Sequence, residues 1–137
     1  MSTATLTNNA HTVGKMYEAF GRGDIPYILS YIADNCNWIG AGEGSLLQGG
    51  RYTGKGAAGF FEKLNEEAVF TTFNPTAIHN IGDNEVVAFG NFTGTSRATG
   101  KKMSSEWVMH WKFNHDGKAI YFQDYFDTAA AYTANQI

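Results

Sequence analysis

The chain has 137 residues, 43% of them hydrophobic and 15% aromatic, enough for one sizeable core and too few for two ordinary domains. A net charge of -3, with no basic cluster beyond Lys101 and Lys102, argues against a nucleic-acid or anionic-membrane partner. The single cysteine, Cys36, excludes an internal disulfide and a thiolate metal cluster, and no run of about 18 apolar residues offers a membrane span, so a cytoplasmic protein is expected.

Residues 1–7 are polar and read as a flexible N-terminus. Val13, Met16, Tyr17 and Phe20 then recur at i, i+3, i+4 and i+7, one face of a helix that ends near Gly21 and Gly23. Asp24 is placed to cap a second helix, with Pro26 in its first turn and Ile25, Ile28, Leu29 and Ile32 as its stripe. A short strand over residues 36–39 leads into a glycine-rich loop over residues 40–50, which lacks the flanking strand and helix of a phosphate loop. Ala57, Phe60, Phe61 and Leu64 mark a third helix.

Beyond Val69 the pattern changes to long β-branched and aromatic segments. Turn residues at Gly82-Asp83-Asn84, Thr99-Gly100-Lys101 and Asp116-Gly117 divide them into strands over residues 69–80, 85–98, 102–113 and 118–126. An alanine-rich tail, AAAYTA, has room for one or two helical turns. Three helices followed by an antiparallel meander predict an α+β fold with the helices on one face of the sheet. Period 2 through the third long strand puts Trp107, Met109, Trp111 and Phe113 on one face and Val108, His110 and Lys112 on the other; the bulkier face is expected to be buried.

These segments, taken in order, resemble a SnoaL-like, ketosteroid isomerase-related protein of the nuclear transport factor 2 superfamily. The resemblance rests on YEAFGRGD from Tyr17, the Trp38 strand, GGRYTGKGAAGFFEKL from Gly49, TGKKMSSEWVMHW from Thr99 and DGKAIYFQDYFDT from Asp116. It implies a single SnoaL-like domain over residues 8–137, a cone in which a strongly curved sheet wraps the helices around an apolar pocket. It also implies a homodimer paired through the outer, convex sheet face. The family includes isomerases, cyclases, dehydratases and epoxide hydrolases alongside members with no known activity, so fold alone does not assign a reaction.

Ketosteroid isomerases use a carboxylate base, a protonated Asp and a Tyr. Carried over by position, these fall on Gly40, Met109 and Met16, none of which has the needed group, so classical ketosteroid isomerisation is not expected. Tyr17, next to Met16, lies about 100° round the helix. The same alignment lines the pocket with Tyr17, Trp38, Trp107, Met109, Trp111, Tyr121, Gln123 and Tyr125, aromatics that either hold a small apolar ligand or simply fill the core.

Asp127, at the end of the last strand, is the carboxylate selected as a general acid or base; its other reading is the N-cap of the terminal turn. Setting Met109 opposite Tyr125 brings His110 opposite Asp124 on the outer face, where His110, Lys112, Phe122 and Asp124 would form the dimer surface, and a slip of one residue would reverse that assignment. The four histidines have no spacing that joins two of them with a carboxylate, so no metal is expected, and no cofactor either. Cys36 reads as a buried structural thiol. Two functions follow: an isomerase, cyclase or hydratase acting on a small apolar carbonyl compound, or a non-catalytic small-ligand binding or dimeric interaction module.

Overall fold

The computed structural model describes residues 3–137. The first helix, α1 (Thr3–Gly21), starts earlier than its apolar stripe suggested and takes in most of the segment expected to be flexible; Met1 and Ser2 lie outside the described residues. It is followed by α2 (Ile25–Leu29), β1 (Ile32–Gly40), β2 (Gly50–Thr53), a single 3-10 turn, α3 (Ala57–Glu67), β3 (Ala68–Ile81), β4 (Glu85–Ser96), β5 (Lys102–Phe113), β6 (Ala119–Phe126) and α4 (Thr128–Ala134). Asp24 caps α2 as its position suggested, its carboxylate accepting from the Tyr27 N–H at 3.1 Å with Pro26 in the first turn. No helix among the described residues is long and apolar enough to cross a membrane.

The meander β3 to β6 forms with turns at the three expected places. Each is closed by a glycine at positive φ: Gly82 at 63°, Gly100 at 76° and Gly117 at 77°. The sheet is wider than the meander. Its order is β2-β1-β6-β5-β4-β3, and β1 joins β6 in parallel while every other pair is antiparallel. Register shifts at Phe70/Thr72 and Pro75/Ala77 bulge the edge strand β3 against β4, and such bulges bend a strand and tighten its twist. The sheet is therefore curved, open at β2 and β3, with α1 and α3 in its hollow.

Alternation fixes which side chains enter that hollow. On β4 the buried set is Val86, Ala88, Gly90, Phe92, Gly94 and Ser96, and on β5 Trp107, Met109, Trp111 and Phe113 turn inward as the pattern indicated. β6 behaves differently. Phe113 pairs with Ala119 but Lys112 pairs with Tyr121, leaving Ile120 as one extra residue in the ladder. That bulge turns the rest of the strand over. Met109 faces Asp124, not Tyr125, and His110 faces Gln123, not Asp124.

The consequence corrects two expectations together. Phe122 and Asp124, assigned to the outer dimer surface, are 2% and 6% exposed and belong to the interior. Tyr121, Gln123 and Tyr125, assigned to the pocket, lie on the outer face with His110 and Lys112. There Tyr121 donates to Gln123 Oε1 at 2.7 Å, the Lys112 ammonium sits 5.0 Å from the Tyr121 ring centroid, and His110 pairs with Glu85 at 2.7 Å. Phe126, on the same side of β6 as Phe122 and Asp124, packs against Phe92.

The tightest backbone approach in the sheet is at Gly90. It sits opposite Trp107, and a Cβ there would run into the Trp107 ring and the Asn74 carbonyl oxygen. Gly90→Ala is therefore expected to lower stability by about 1–3 kcal/mol, read as a shift in the urea midpoint at unchanged slope. A neutral result would show that the Trp107 ring has room to move.

Candidate functional site

The hollow between sheet and helices encloses a cavity of about 90 Å³ open to the centre of a water molecule. That is room for roughly six to nine waters, or a ligand of roughly a dozen heavy atoms. β1 contributes Trp38 and β6 contributes Phe122, neighbours in the parallel pair whose rings stack at 3.9 Å. Trp107 and Trp111 stand two strand positions apart on each side of Met109. Trp107 stacks on Phe73 at 5.0 Å, and Trp111 meets Phe122 edge to face at 4.7 Å. α1 lays Tyr17 across this wall, and α3 supplies Phe60, Phe61 and Leu64.

Five of the residues expected to line a pocket do so: Tyr17, Trp38, Trp107, Met109 and Trp111. The Tyr17 hydroxyl accepts from Trp111 Nε1 at 3.2 Å and donates to the Met109 sulfur at 3.1 Å. A thioether is a weak acceptor, so the Tyr17 proton is held loosely and would turn to any ligand oxygen nearby. Burial raises the Tyr17 pKa further above its usual value, which keeps the hydroxyl a donor.

Asp124 is one of two carboxylates on the cavity wall, the other being Glu67. Burial pushes the Asp124 pKa from 3.8 up to about 6, against the pull of the Ala41 N–H that donates to Oδ1 at 2.7 Å. The N–H of Asp124 itself also pulls the pKa down, and burial outweighs both. Asp127 behaves as a cap: it is exposed, Oδ1 accepts from the Ala130 N–H at 3.0 Å, and it is absent from the cavity wall. Asp124 could have been found in the sequence only by anticipating the bulge at Ile120.

Two further polar groups reach the wall and were missed, Gln48 and Glu67. Both depend on the loop between β1 and β2. Glu67, at the end of α3, is 7% exposed; Oε2 accepts from the Leu47 N–H at 2.7 Å and Oε1 from Asn135 at 2.9 Å, which pins the loop beside α4. Gly40, where isomerases carry their base, is closely roofed. A Cβ there would lie 2.6 Å from the Gln48 carbonyl oxygen and 2.9 Å from the Phe60 ring. Cys36 is buried, and its surroundings push the thiol up to about 11, consistent with a structural residue. Among the described residues no three His, Cys, Asp or Glu side chains come together as a metal site would need.

Comparison with known proteins places this geometry. The model of the SnoaL-like domain matches residues 13–122. Patulin synthesis protein F of Aspergillus clavatus is 34% identical over 88 residues, a stretch that covers 61% of this chain and 44% of that protein, so the chain spans less than half of this relative's length. An NTF2-like protein of Burkholderia thailandensis superposes with a TM-score of 0.83 at 26% identity, covering 94% of this chain and 98% of the other. TerC, co-crystallised with polyporic acid, superposes with a TM-score of 0.78 at 26% identity, covering 93% and 97%. The matched domain, the mixed sheet and the aromatic hollow make this chain a member of the SnoaL-like family within the nuclear transport factor 2 superfamily.

Proposed function

We propose that the cavity is the active site of an isomerase- or cyclase-type enzyme that moves protons on a small unsaturated carbonyl compound with its own side chains. The observation that carries this reading is Asp124, a carboxyl on the cavity wall, buried among aromatic rings, with a pKa of about 6. A group that titrates close to neutrality can take a proton at one atom and return it at another. The carboxylate would draw a proton from carbon next to the carbonyl, and the electron pair of the broken C–H bond would move onto the oxygen. Tyr17, polarised by Trp111, would donate to that oxygen while the charge is there. Return of the proton from Asp124 to a different carbon completes an isomerisation; attack of the enolate carbon on a second carbonyl, whose π bond opens and whose oxygen takes the proton back from Asp124, closes a ring.

The likeness to patulin synthesis protein F and to TerC, which was crystallised with polyporic acid, supports a small-molecule role. The apolar wall supports a compound that is mostly hydrocarbon. A non-catalytic binding module would share the wall but would have no use for a carboxyl whose ionisation costs stability.

A substrate-independent test is exchange of the protons beside the carbonyl of indanone in heavy water, followed by NMR. The protein is expected to accelerate exchange, with the rate falling as pH drops through about 6 because the base must be ionised. Asp124→Asn should lower it by about 10²–10⁴-fold. An Asp124→Asn protein that exchanges at the parent rate would remove Asp124 from the chemistry.

The same carboxyl predicts a stability effect. Because its pKa is higher folded than unfolded, the folded state binds the extra proton between about pH 4 and pH 6. Stability therefore falls as pH rises through that window and stays lower above it. Asp124→Asn keeps an acceptor for Ala41 and removes the ionisation, so it should be more stable than the parent by about 1–2 kcal/mol at about pH 8, with the gap closing towards about pH 4. Urea midpoints at the two pH values measure this, and a variant less stable at both would contradict it.

A further inference from the structure

Among the described residues, five buried side-chain polar atoms have no hydrogen-bond partner, and three of them belong to residues of the cavity wall: Trp38 Nε1, Trp107 Nε1 and Gln48 Oε1. Their side chains sit in residues only 1%, 3% and 3% exposed, so solvent does not satisfy them freely. Leaving a buried donor or acceptor unpaired costs about 1–3 kcal/mol each, and folded proteins rarely carry several in one place without a use for them. The third cavity tryptophan shows that pairing was available here, since Trp111 donates to Tyr17. The other two unpaired atoms, on Ser96 and Asn135, lie away from this wall.

The tryptophans are also separated in a useful way. Trp38 stacks on Phe122 at one end of the aromatic row and Trp107 on Phe73 at the other, with Trp111 and Tyr17 between them. An indole N–H can only donate, and the oxygen of Gln48 can only accept. From this pattern we infer that Trp38, Trp107 and Gln48 are the specificity-determining residues of the cavity, and that they select a compact cyclic ligand with a carbonyl-type oxygen towards each end and a hydroxyl that Gln48 reads. The inference rests on the reading of the cavity as a ligand site. It assigns orientation to groups different from Asp124 and Tyr17, whose task is the proton. An indole that must find an acceptor rejects an all-hydrocarbon ligand of the same shape, because that ligand would seal the N–H away from water as well.

Three probes with one carbon skeleton separate the possibilities: durene with no oxygen, durenol with one hydroxyl, and duroquinone with two opposed carbonyls. Apolar burial alone favours durene, the most hydrophobic of the three. The inference expects the reverse, with duroquinone at least about tenfold tighter than durene. In proton–nitrogen spectra of the unmodified protein, the indole N–H signals of Trp38 and Trp107 should move downfield with duroquinone while that of Trp111 moves least. Trp38→Phe and Trp107→Phe should each cut the preference for duroquinone over durene by about tenfold, read as the ratio of the two dissociation constants within each variant. Gln48→Met should remove the advantage of durenol over durene. If either tryptophan variant fails to fold, the indole signals of the unmodified protein decide. Durene binding as tightly as duroquinone with both indoles unmoved would overturn the inference and leave the cavity a ligand site. Failure of all three probes to perturb any cavity aromatic signal would overturn both.

Discussion

One unpaired residue at the start of the last strand determines what the interior of this protein contains. With Ile120 bulged out of the β5–β6 ladder, every later side chain of β6 changes face. Phe122 reaches Trp38 and stacks on it, Asp124 enters an aromatic hollow, and three hydrophilic or half-polar side chains move outward. Without the bulge, Tyr121, Gln123 and Tyr125 would point into the hollow, and its titratable carboxyl would be at the surface. The other features of the site follow from this inversion, including the seating of the loop between β1 and β2, whose Ala41 N–H finds its acceptor only because Asp124 points inward.

The inverted strand places a carboxyl where apolar packing would be more stable. Its raised pKa records that conflict: the charged form is disfavoured by desolvation, and the backbone N–H groups of Ala41 and Asp124 offset only part of it. The same hollow keeps two indole N–H groups and an amide oxygen without a partner among the described residues. Four polar groups in poor circumstances within one apolar chamber distinguish it from an ordinary core, where polar atoms are paired or absent. Gly40 shows the complementary pressure: the roof over it is so close that a side chain cannot be accommodated without moving Gln48 or Phe60. A carboxyl inside the cavity has to come from another strand, and β6 supplies it.

The fold was legible because its signals are local. The apolar stripe of α1, the Asp24-Pro26 start of α2, the three glycine turns and the alternation of Trp107, Met109, Trp111 and Phe113 each follow from a few neighbouring residues. The site was legible on α1, β1 and β5 for the same reason. It was misread on β6 because register is a relation between two strands, and Ile120 carries no mark in the sequence that it will be the extra residue. Gln48 and Glu67 were missed for a related reason: their roles come from a loop whose path is set by contacts with α3 and α4, far along the chain. The parallel pairing of β1 with β6 was likewise invisible, since nothing within residues 32–40 indicates a partner near the C-terminus.

That parallel pairing bears on how the chain acquires its shape. β1 lies between β2 and β6, so one of its two ladders cannot form until the last long strand has been made. During synthesis the N-terminal half presents Trp38 and a strand edge with no partner for Phe122 to complete, and long-range contacts of this kind are formed late and slowly. The wall of the cavity therefore does not exist in any C-terminally truncated chain that lacks β6, and a protein of this architecture has to emerge almost whole from the ribosome before its binding chamber can close.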